Sequence, residues 1–208
     1  RTPALCCGRT YLSAGMAAEA KAEIARTIDA LRPALDNGAA VVGLEPSCLL
    51  TFRDEAPALL DDWSAEDGAR IMLFEEFLAT RAAKGQLDLP LAPLAASTAL
   101  LHGHCHQKSF NVMGPVREVL GLIPGLRVEP IASSCCGMAG AFGYQAETLA
   151  VSRAMAELSL LPKVRAAAEG AIVVADGTSC RHQIADGTGR AALHVARVLA
   201  ESSERALT

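Results

Sequence analysis

The sequence predicts an α/β protein made of two duplicated βα halves with mainly parallel sheets and with cysteine ligands at the C-terminal ends of strands. Three observations support this fold class. Short runs of β-branched and apolar residues alternate with longer, alanine-rich stretches of helical spacing. The triplet Cys-Cys-Gly occurs twice, and its first cysteines lie 129 residues apart. Apolar residues make up 51% of the 208 residues and charged residues 20%, which is enough apolar material for a sizeable core.

The first half is predicted to place one strand between helices. Alanine-rich helical spacing predicts a helix over residues 17–35, and the run AAVVGL predicts a strand over residues 39–44. A further helix is expected over residues 70–83. Residues 86–97 contain two prolines and are interpreted as the connection between the halves.

The second half is predicted to alternate three strands with three helices. The strands are short apolar runs, and the helices follow from leucine and alanine spacing or from a proline near a helix start. The predicted strands are 98–102, 126–132 and 171–175, and the predicted helices start at Gly114-Pro115 and span 145–160 and 188–204.

An internal duplication explains the repeated cysteine pattern. Leu5-Cys6-Cys7-Gly8 returns as Ser134-Cys135-Cys136-Gly137, and Cys48 returns as Cys180 after 132 residues. Two features at nearly the same offset predict one repeat over residues 1–90 and a second over residues 91–208. The counterpart of Cys105 would precede Arg1, so we expect a truncated first repeat with an incomplete set of cysteines.

Composition and charge exclude several classes of protein. The high apolar content excludes disorder, and the net charge of −4 with only 4% aromatic residues argues against a nucleic-acid partner. No apolar run has the length of a transmembrane helix, and no N-terminal stretch has the layout of a signal peptide. These features predict a cytoplasmic location.

The cysteines are interpreted as metal ligands. Their odd number and the two adjacent pairs make a poor disulfide framework, whereas thiolates in a reducing compartment bind soft metals. The alternatives are small buried apolar residues or a redox-active vicinal pair. The predicted ligands are Cys105, Cys135, Cys136 and Cys180 in the second half and Cys6, Cys7 and Cys48 in the first.

The positions of the second-half cysteines predict one shared site. Each cysteine segment comes just after a predicted strand, and parallel strands present their carboxyl ends at one edge of a sheet. Four thiolates from three segments can therefore converge. Four thiolates suit a [4Fe–4S] or [2Fe–2S] cluster, and they also suit a structural zinc ion.

Several neighbours of the thiolates are candidate site residues. Lys108 is a cation that can raise the potential of an anionic cluster, and Gly137 and Gly140 leave room for the backbone to approach it. His102, His104 and His106 flank Cys105. If the chain stays extended, these histidines lie on the face opposite Cys105, and we expect them to shape the rim of the crevice rather than bind its metal. If the chain turns instead, a histidine stays an alternative metal ligand.

The pattern Cys105, Cys135-Cys136-Gly137, Cys180 resembles the cysteine-rich CCG domain. That domain occurs in heterodisulfide reductase and in the iron–sulfur subunits of glycolate oxidase, lactate-utilisation and anaerobic glycerol-3-phosphate dehydrogenase systems. The segments GLEPSCLLTFRDE, HGHCHQKS and SCCGMAGAFGY resemble the C-terminal region of fused FAD-linked oxidase and iron–sulfur dehydrogenases. The resemblance covers essentially the whole chain.

The resemblance implies an electron-transfer role. In such enzymes FAD, bound outside this chain, oxidises a D-2-hydroxyacid such as glycolate, D-lactate or 2-hydroxyglutarate. Electrons then pass through iron–sulfur centres to a quinone or another acceptor. The implied partners are flavin and ferredoxin-type domains, and a quinone would bring the enzyme to the inner face of the cell membrane.

The sequence departs from the family pattern in one respect. The family often ends each repeat in CxxC, but here Thr51 and Gln183 occupy the places of the last cysteines. This departure argues against five-cysteine clusters and disulfide-reducing chemistry, and it leaves His182 as a candidate replacement ligand. Two other functions stay open at this point: a structural zinc or docking domain, and a thiol-redox catalyst.

Overall fold

A computed structural model describes residues 4–208 of the chain. Residues 1–3, which open the predicted first repeat, lie outside the described residues. The chain divides into two compact units, and the boundary falls between Phe74 and Glu75. None of the helices described is both long enough and apolar enough to cross a membrane.

Within its described residues, 4–74, the first unit contains a two-stranded parallel sheet and five helices. Strand β1 (Val41–Gly43) pairs in parallel with strand β2 (Ile71–Leu73). The helices are α1 (Arg9–Ser13), α2 (Ala17–Asp36), α3 (Pro46–Thr51), α4 (Glu55–Leu59) and α5 (Ala65–Gly68).

Helix α2 supplies much of the core of the first unit. Its buried residues include Ala20, Ile24 and Ile28, which recur at intervals of four and so form one face of the helix. The helix ends where Gly38 takes a positive φ of 77° and its amide donates to the carbonyl of Leu35. This apolar face packs in the core that also contains Trp63.

The second unit is a four-stranded, all-parallel sheet with helices between the strands. The strands are ordered β4-β3-β5-β6, so β3 and β5 are central. In chain order the elements are α6 (Phe74–Ala83, which begins at the boundary), β3 (Thr98–His102), α7 (Cys105–Ser109), α8 (Met113–Gly121), β4 (Arg127–Pro130), a 3-10 helix (Phe142–Tyr144), α9 (Leu149–Glu157), α10 (Leu160–Ala166), β5 (Ile172–Ala175), α11 (Thr178–Thr188), β6 (Ala192–Leu193) and α12 (Val195–Ala206).

The two central strands determine where the cysteines meet. In β5 the run Val173, Val174 and Ala175 is fully buried, as expected for a strand covered by helices on both faces. The last residue of β3, His102, pairs in register with Ala175 at the end of β5. Because all four strands are parallel, their carboxyl ends open at the same edge of the sheet.

The predicted α/β class with parallel strands is confirmed, and several element bounds need correction. Residues 70–83 form a short strand, β2, before helix α6, because Ile71 and Leu73 are buried beside β1. The predicted helix over residues 188–204 begins only at Val195, where the side chain of His194 caps it by accepting from the amide of Ala196. Residue 188 is instead the last residue of α11, which the sequence reasoning missed.

Candidate metal centre

Three segments of the second unit bring cysteines to the carboxyl edge of its sheet. Cys105 is the first residue of α7 and follows Gly103 and His104, the two residues that come after β3. Cys135 and Cys136 lie in the loop after β4, and Cys180 is the third residue of α11 after β5. The short loops after neighbouring parallel strands therefore position these thiols.

The four thiols interact in sequence. The thiol of Cys135 interacts with those of Cys105 and Cys136, and the thiol of Cys136 interacts with that of Cys180. Cys136 and Cys180 are buried in the core of the unit, Cys135 is half-buried and Cys105 is exposed. The chain of sulfurs thus runs from the protein surface into the interior.

The contacts make alternate thiols acidic. The pKa of Cys135 is lowered by hydrogen bonds from Cys105 and Cys136 and by the amide of Gly137, whereas hydrogen bonding to Cys135 raises the pKa of Cys105. The pKa of Cys180 is lowered, mainly by its hydrogen bond with Cys136 and also by His102. A lowered pKa favours the thiolate, which is the form in which cysteine binds metals.

Two glycines let the backbone approach these thiols. Gly137 has a φ of 93°, and its amide donates to the Cys135 sulfur at 3.3 Å. A Cβ on Gly177 would lie 2.4 Å from the ring of His104 and 3.2 Å from the Cys180 sulfur. Side chains at either position would displace the residues that build the site.

Replacing Gly137 with alanine should therefore lower the free energy of unfolding by about 2–4 kcal/mol. The added Cβ would lie 2.2 Å from the carbonyl oxygen of Ser152, and the positive φ is strained for any other residue. Urea denaturation measures the effect. Gly170→Ala is the control, since a Cβ there meets nothing within 4 Å and the change should stay within about 0.5 kcal/mol. Equal effects of the two substitutions would contradict this explanation.

His102 lies beside the buried thiols. Within residues 4–208, the one set of three metal-binding side chains whose donor atoms all lie within 4.8 Å of one another is His102, Cys136 and Cys180. The sequence-based expectation that the histidines face away from the cysteine assumed an extended chain. The chain instead turns at Gly103 and enters α7, which leaves the ring of His102 facing the thiols of other segments.

A buried polar network holds the start of α7. The side chain of His104 accepts from the amide of His106 at 3.2 Å, and the Gln107 side chain accepts from the amide of His104 at 3.0 Å. The amide group of Gln107 donates to Glu75 at 2.7 Å and to Asp176 at 2.9 Å. Cys105 is therefore carried on a helix end that is fixed from within the unit.

The other predicted neighbours occupy different positions. The ammonium group of Lys108 donates to the carbonyls of Ser133 and Ser134 at 2.6 and 2.8 Å, which ties α7 to the loop that carries Cys135. Burial lowers the pKa of Lys108, while the nearby Cys180 opposes this change. Gly140 is exposed with a φ of 69°, and its role in cofactor binding stays a prediction.

The first unit repeats part of this arrangement. The sulfurs of Cys7 and Cys48 lie 3.0 Å apart, and the amide of Gly8 donates to the Cys6 sulfur at 3.4 Å. Cys48 is the third residue of α3, as Cys180 is of α11. This likeness supports the interpretation of the halves as a duplication.

Local charge acts on the thiols of the first unit. The pKa of Cys7 is lowered to about 6, chiefly by its hydrogen bond with Cys48 and further by Arg9, and the same hydrogen bond raises the pKa of Cys48. Arg9 is held by Glu55 at 2.6 Å and by the hydroxyl of Thr51 at 3.1 Å. Cys6, Cys7 and Cys48 are thus a second candidate set of ligands.

The sequence reasoning considered His102 only as a possible ligand in case the chain turns after β3, and it did not include Gly177 or Ser133 in the site. Gly177 directly precedes the helix that carries Cys180, and a glycine at that point is a usable sign of close approach. Ser133 contacts His102 across 31 residues, which no local pattern indicates.

The fold and the clustered thiols define a cysteine-rich α/β domain with a candidate metal centre. Residues 99–185, which span β3 to α11, match the family model described as the cysteine-rich domain, CCG. This part of the chain belongs to that family, and the resemblance inferred from the cysteine pattern is confirmed.

The matched relatives are a component of one dehydrogenase and a second, complete dehydrogenase, and both are longer than this chain. The chain is 28% identical to one component of the anaerobic glycerol-3-phosphate dehydrogenase of Escherichia coli K12 over 200 residues, which cover 95% of this chain and 49% of the relative. It is 32% identical to the D-2-hydroxyglutarate dehydrogenase of Pseudomonas putida over 197 residues, or 91% of this chain and 18% of the relative. The chain thus spans about half the length of the first relative and less than a fifth of the second.

Proposed function

We propose that the chain is the iron–sulfur electron-transfer region of an FAD-dependent D-2-hydroxyacid dehydrogenase. The observation that carries this proposal is the convergence of Cys105, Cys135, Cys136 and Cys180 at one edge of a parallel sheet. The similarity to two kinds of dehydrogenase supports an oxidoreductase as the parent enzyme. Its substrate would be of the glycolate, D-lactate or 2-hydroxyglutarate type.

The residues of the second unit fit a metal or iron–sulfur group. Soft thiolates are the donors that such groups require, and a buried ring nitrogen of His102 without a hydrogen-bond partner faces the same space. When bound, the group would accept and release single electrons. The amide of Gly137 would stabilise negative charge on the Cys135 sulfur, and the charge of Lys108 would favour the reduced, more negative state.

The proposed partners follow from the same role. FAD would be held elsewhere in the parent enzyme, with ferredoxin-type domains carrying electrons to or from this region. A quinone or another acceptor would take the electrons, which would place the enzyme in the cytoplasm at the inner face of the cell membrane. In the first unit, Cys6, Cys7 and Cys48 would form a second, incomplete ligand set.

A structural zinc or docking domain of the same enzyme is the second candidate. It is favoured by the compactness of the group formed by His102, Cys136 and Cys180, whose donor atoms lie within 4.8 Å of one another. Tetrahedral zinc with Zn–S bonds of about 2.3 Å holds two sulfurs about 3.8 Å apart. In a cubane cluster each thiolate binds a different iron, which separates the sulfurs further.

Metal analysis of anaerobically purified protein distinguishes the two candidates. The electron-transfer proposal expects iron with matching acid-labile sulfide, and a visible absorption that bleaches on reduction with dithionite. Stoichiometric zinc without sulfide would overturn electron transfer and favour the structural role. A protein that takes up neither metal after anaerobic reconstitution would overturn both.

A further inference from the structure

The ring of His102 has one buried nitrogen that makes no hydrogen bond of normal geometry, although the Cys180 thiol lies beside the ring. The side chain is buried at 1% exposure, and its Nε2 has no hydrogen-bond partner of acceptable geometry among residues 4–208. A buried polar atom without a partner loses its hydrogen bonds to water with nothing in return, so its presence needs a reason. A ring nitrogen of His102 and the sulfurs of Cys136 and Cys180 lie within 4.8 Å of one another.

The other nitrogen of His102 contacts a hydroxyl group. Its Nδ1 lies 2.9 Å from the hydroxyl oxygen of Ser133, and that oxygen lies 3.5 Å from the carbonyl oxygen of Ile131. A ring that carries its proton on Nδ1 donates it to Ser133 and keeps the lone pair of Nε2 for a metal. Histidines that bind metals characteristically donate their second ring N–H in this way.

Two neighbouring histidines lack this arrangement. In His104 it is Nδ1 that accepts, from the amide of His106, so its neutral ring carries the proton on Nε2. His182, the replacement ligand considered from the sequence, is exposed, and its Nδ1 lies 2.6 Å from the hydroxyl of Tyr144. Of these three rings, that of His102 belongs to the group of donor atoms that lie within 4.8 Å of one another.

The spacing of the donors fits a single ion. At tetrahedral angles, bonds of about 2.3 Å to sulfur and about 2.0–2.1 Å to nitrogen place a sulfur and a nitrogen about 3.6 Å apart. The ring nitrogen and the sulfurs of Cys136 and Cys180 lie within 4.8 Å of one another, so small side-chain adjustments suffice. Cys135, whose thiol contacts Cys136, is placed to supply a further thiolate.

We propose that His102 binds the metal of the second unit through Nε2, together with Cys136 and Cys180, and that Ser133 fixes the ring in the binding tautomer. The site would thus be a mixed nitrogen and sulfur centre, rather than the all-cysteine set that the sequence pattern predicts. This inference rests on the proposed metal-holding role of the second unit. It applies to a single metal ion such as zinc, since each iron atom of a cubane cluster takes only one protein ligand.

The test uses the whole chain labelled with ¹⁵N-histidine and loaded with Zn²⁺. Long-range ¹H–¹⁵N spectra should show one histidine whose Nε2 resonance moves to the metal-bound range while its Nδ1 stays protonated. That signal should disappear in His102→Gln and persist in His182→Gln. His102→Gln should also weaken Zn²⁺ binding by at least about 100-fold in competition with a chromophoric chelator, whereas the exposed His182→Gln should change it less than about threefold.

The possible failures are distinguishable. Zn²⁺ bound with no shift of any His102 nitrogen would overturn the inference and leave the metal-holding role intact. A chain that binds neither Zn²⁺ nor reconstituted iron and sulfide would overturn both. Because the wild-type spectrum alone decides whether Nε2 is a ligand, a folding defect in His102→Gln would not leave the question open.

Discussion

Replacing Cys180 with serine should reduce the metal content of the second unit to less than about a tenth of the wild-type value. Structural zinc sites contribute about 10–16 kcal/mol of binding free energy, and each factor of ten in affinity corresponds to about 1.4 kcal/mol. A buried serine hydroxyl stays protonated and is a poor donor to a soft metal. Cys180 is only 2% exposed and packs in the core of the unit, so water cannot easily replace the lost ligand.

Cys48→Ser in the first unit is the matched control. Cys48 holds the same position in α3 that Cys180 holds in α11, yet its unit contributes only Cys6, Cys7 and Cys48. We expect iron, zinc and sulfide contents of Cys48→Ser to match wild type, and circular dichroism to show folded apo-protein for both variants. Equal losses in the two variants would mean that the metal is not held by the second unit alone.

The parts of the fold that were predictable are those set by continuous apolar runs. Strand β3 follows its predicted bounds because Thr98–His102 is an uninterrupted apolar run that ends in a polar residue, and the long α2 follows its alanine spacing. Strand β2 was not predictable, because its three apolar residues run directly into helix α6. The start of α12 depends on the cap formed by the side chain of His194 and on the two-residue strand before it. Neither feature involves enough residues to produce a periodic signal.

The candidate site also has parts that could be predicted from the sequence and parts that could not. The cysteines could be identified from spacing, since a repeated triplet followed by a lone cysteine is rare by chance. The orientation of His102 depends on the turn at Gly103 and on a hydrogen bond to Ser133, which come from different segments. The buried pair Glu75 and Asp176, which joins Gln107 from positions 101 residues apart, left no mark on the local sequence.

The second large expected effect is a change of stability with pH that is caused by Glu75. Its side chain is fully buried, its Oε1 accepts from the amide of Gln107, and its Oε2 has no partner among the described residues. Asp176 accepts from the same amide nitrogen, and it also accepts from the backbone of Val195 at the start of α12 and lies 3.6 Å from the ring of His194. Negative charge is therefore better stabilised at Asp176 than at Glu75.

Burial, followed by repulsion from Asp176, raises the pKa of Glu75 from its usual 4.5 to about 8. The folded protein consequently keeps a proton that the unfolded chain releases above pH 4.5, so unfolding releases a proton throughout this window. The stabilising contribution of this proton is fully present below about pH 4.5, and it is lost as the pH rises toward 8. The contribution of this one group is about 1.4 kcal/mol per pH unit between these limits.

Glu75→Gln, which imitates the protonated side chain, should therefore gain stability relative to wild type as the pH rises. The difference in unfolding free energy between the two proteins should change by about 1.4 kcal/mol per unit between pH 5 and pH 7.5, measured by urea denaturation of metal-free protein. Glu169→Gln, at an exposed position of the same unit, should differ from wild type by a constant amount. A flat difference for Glu75→Gln would mean that Glu75 is ionised in the folded protein. Two buried negative charges would then share the single amide of Gln107.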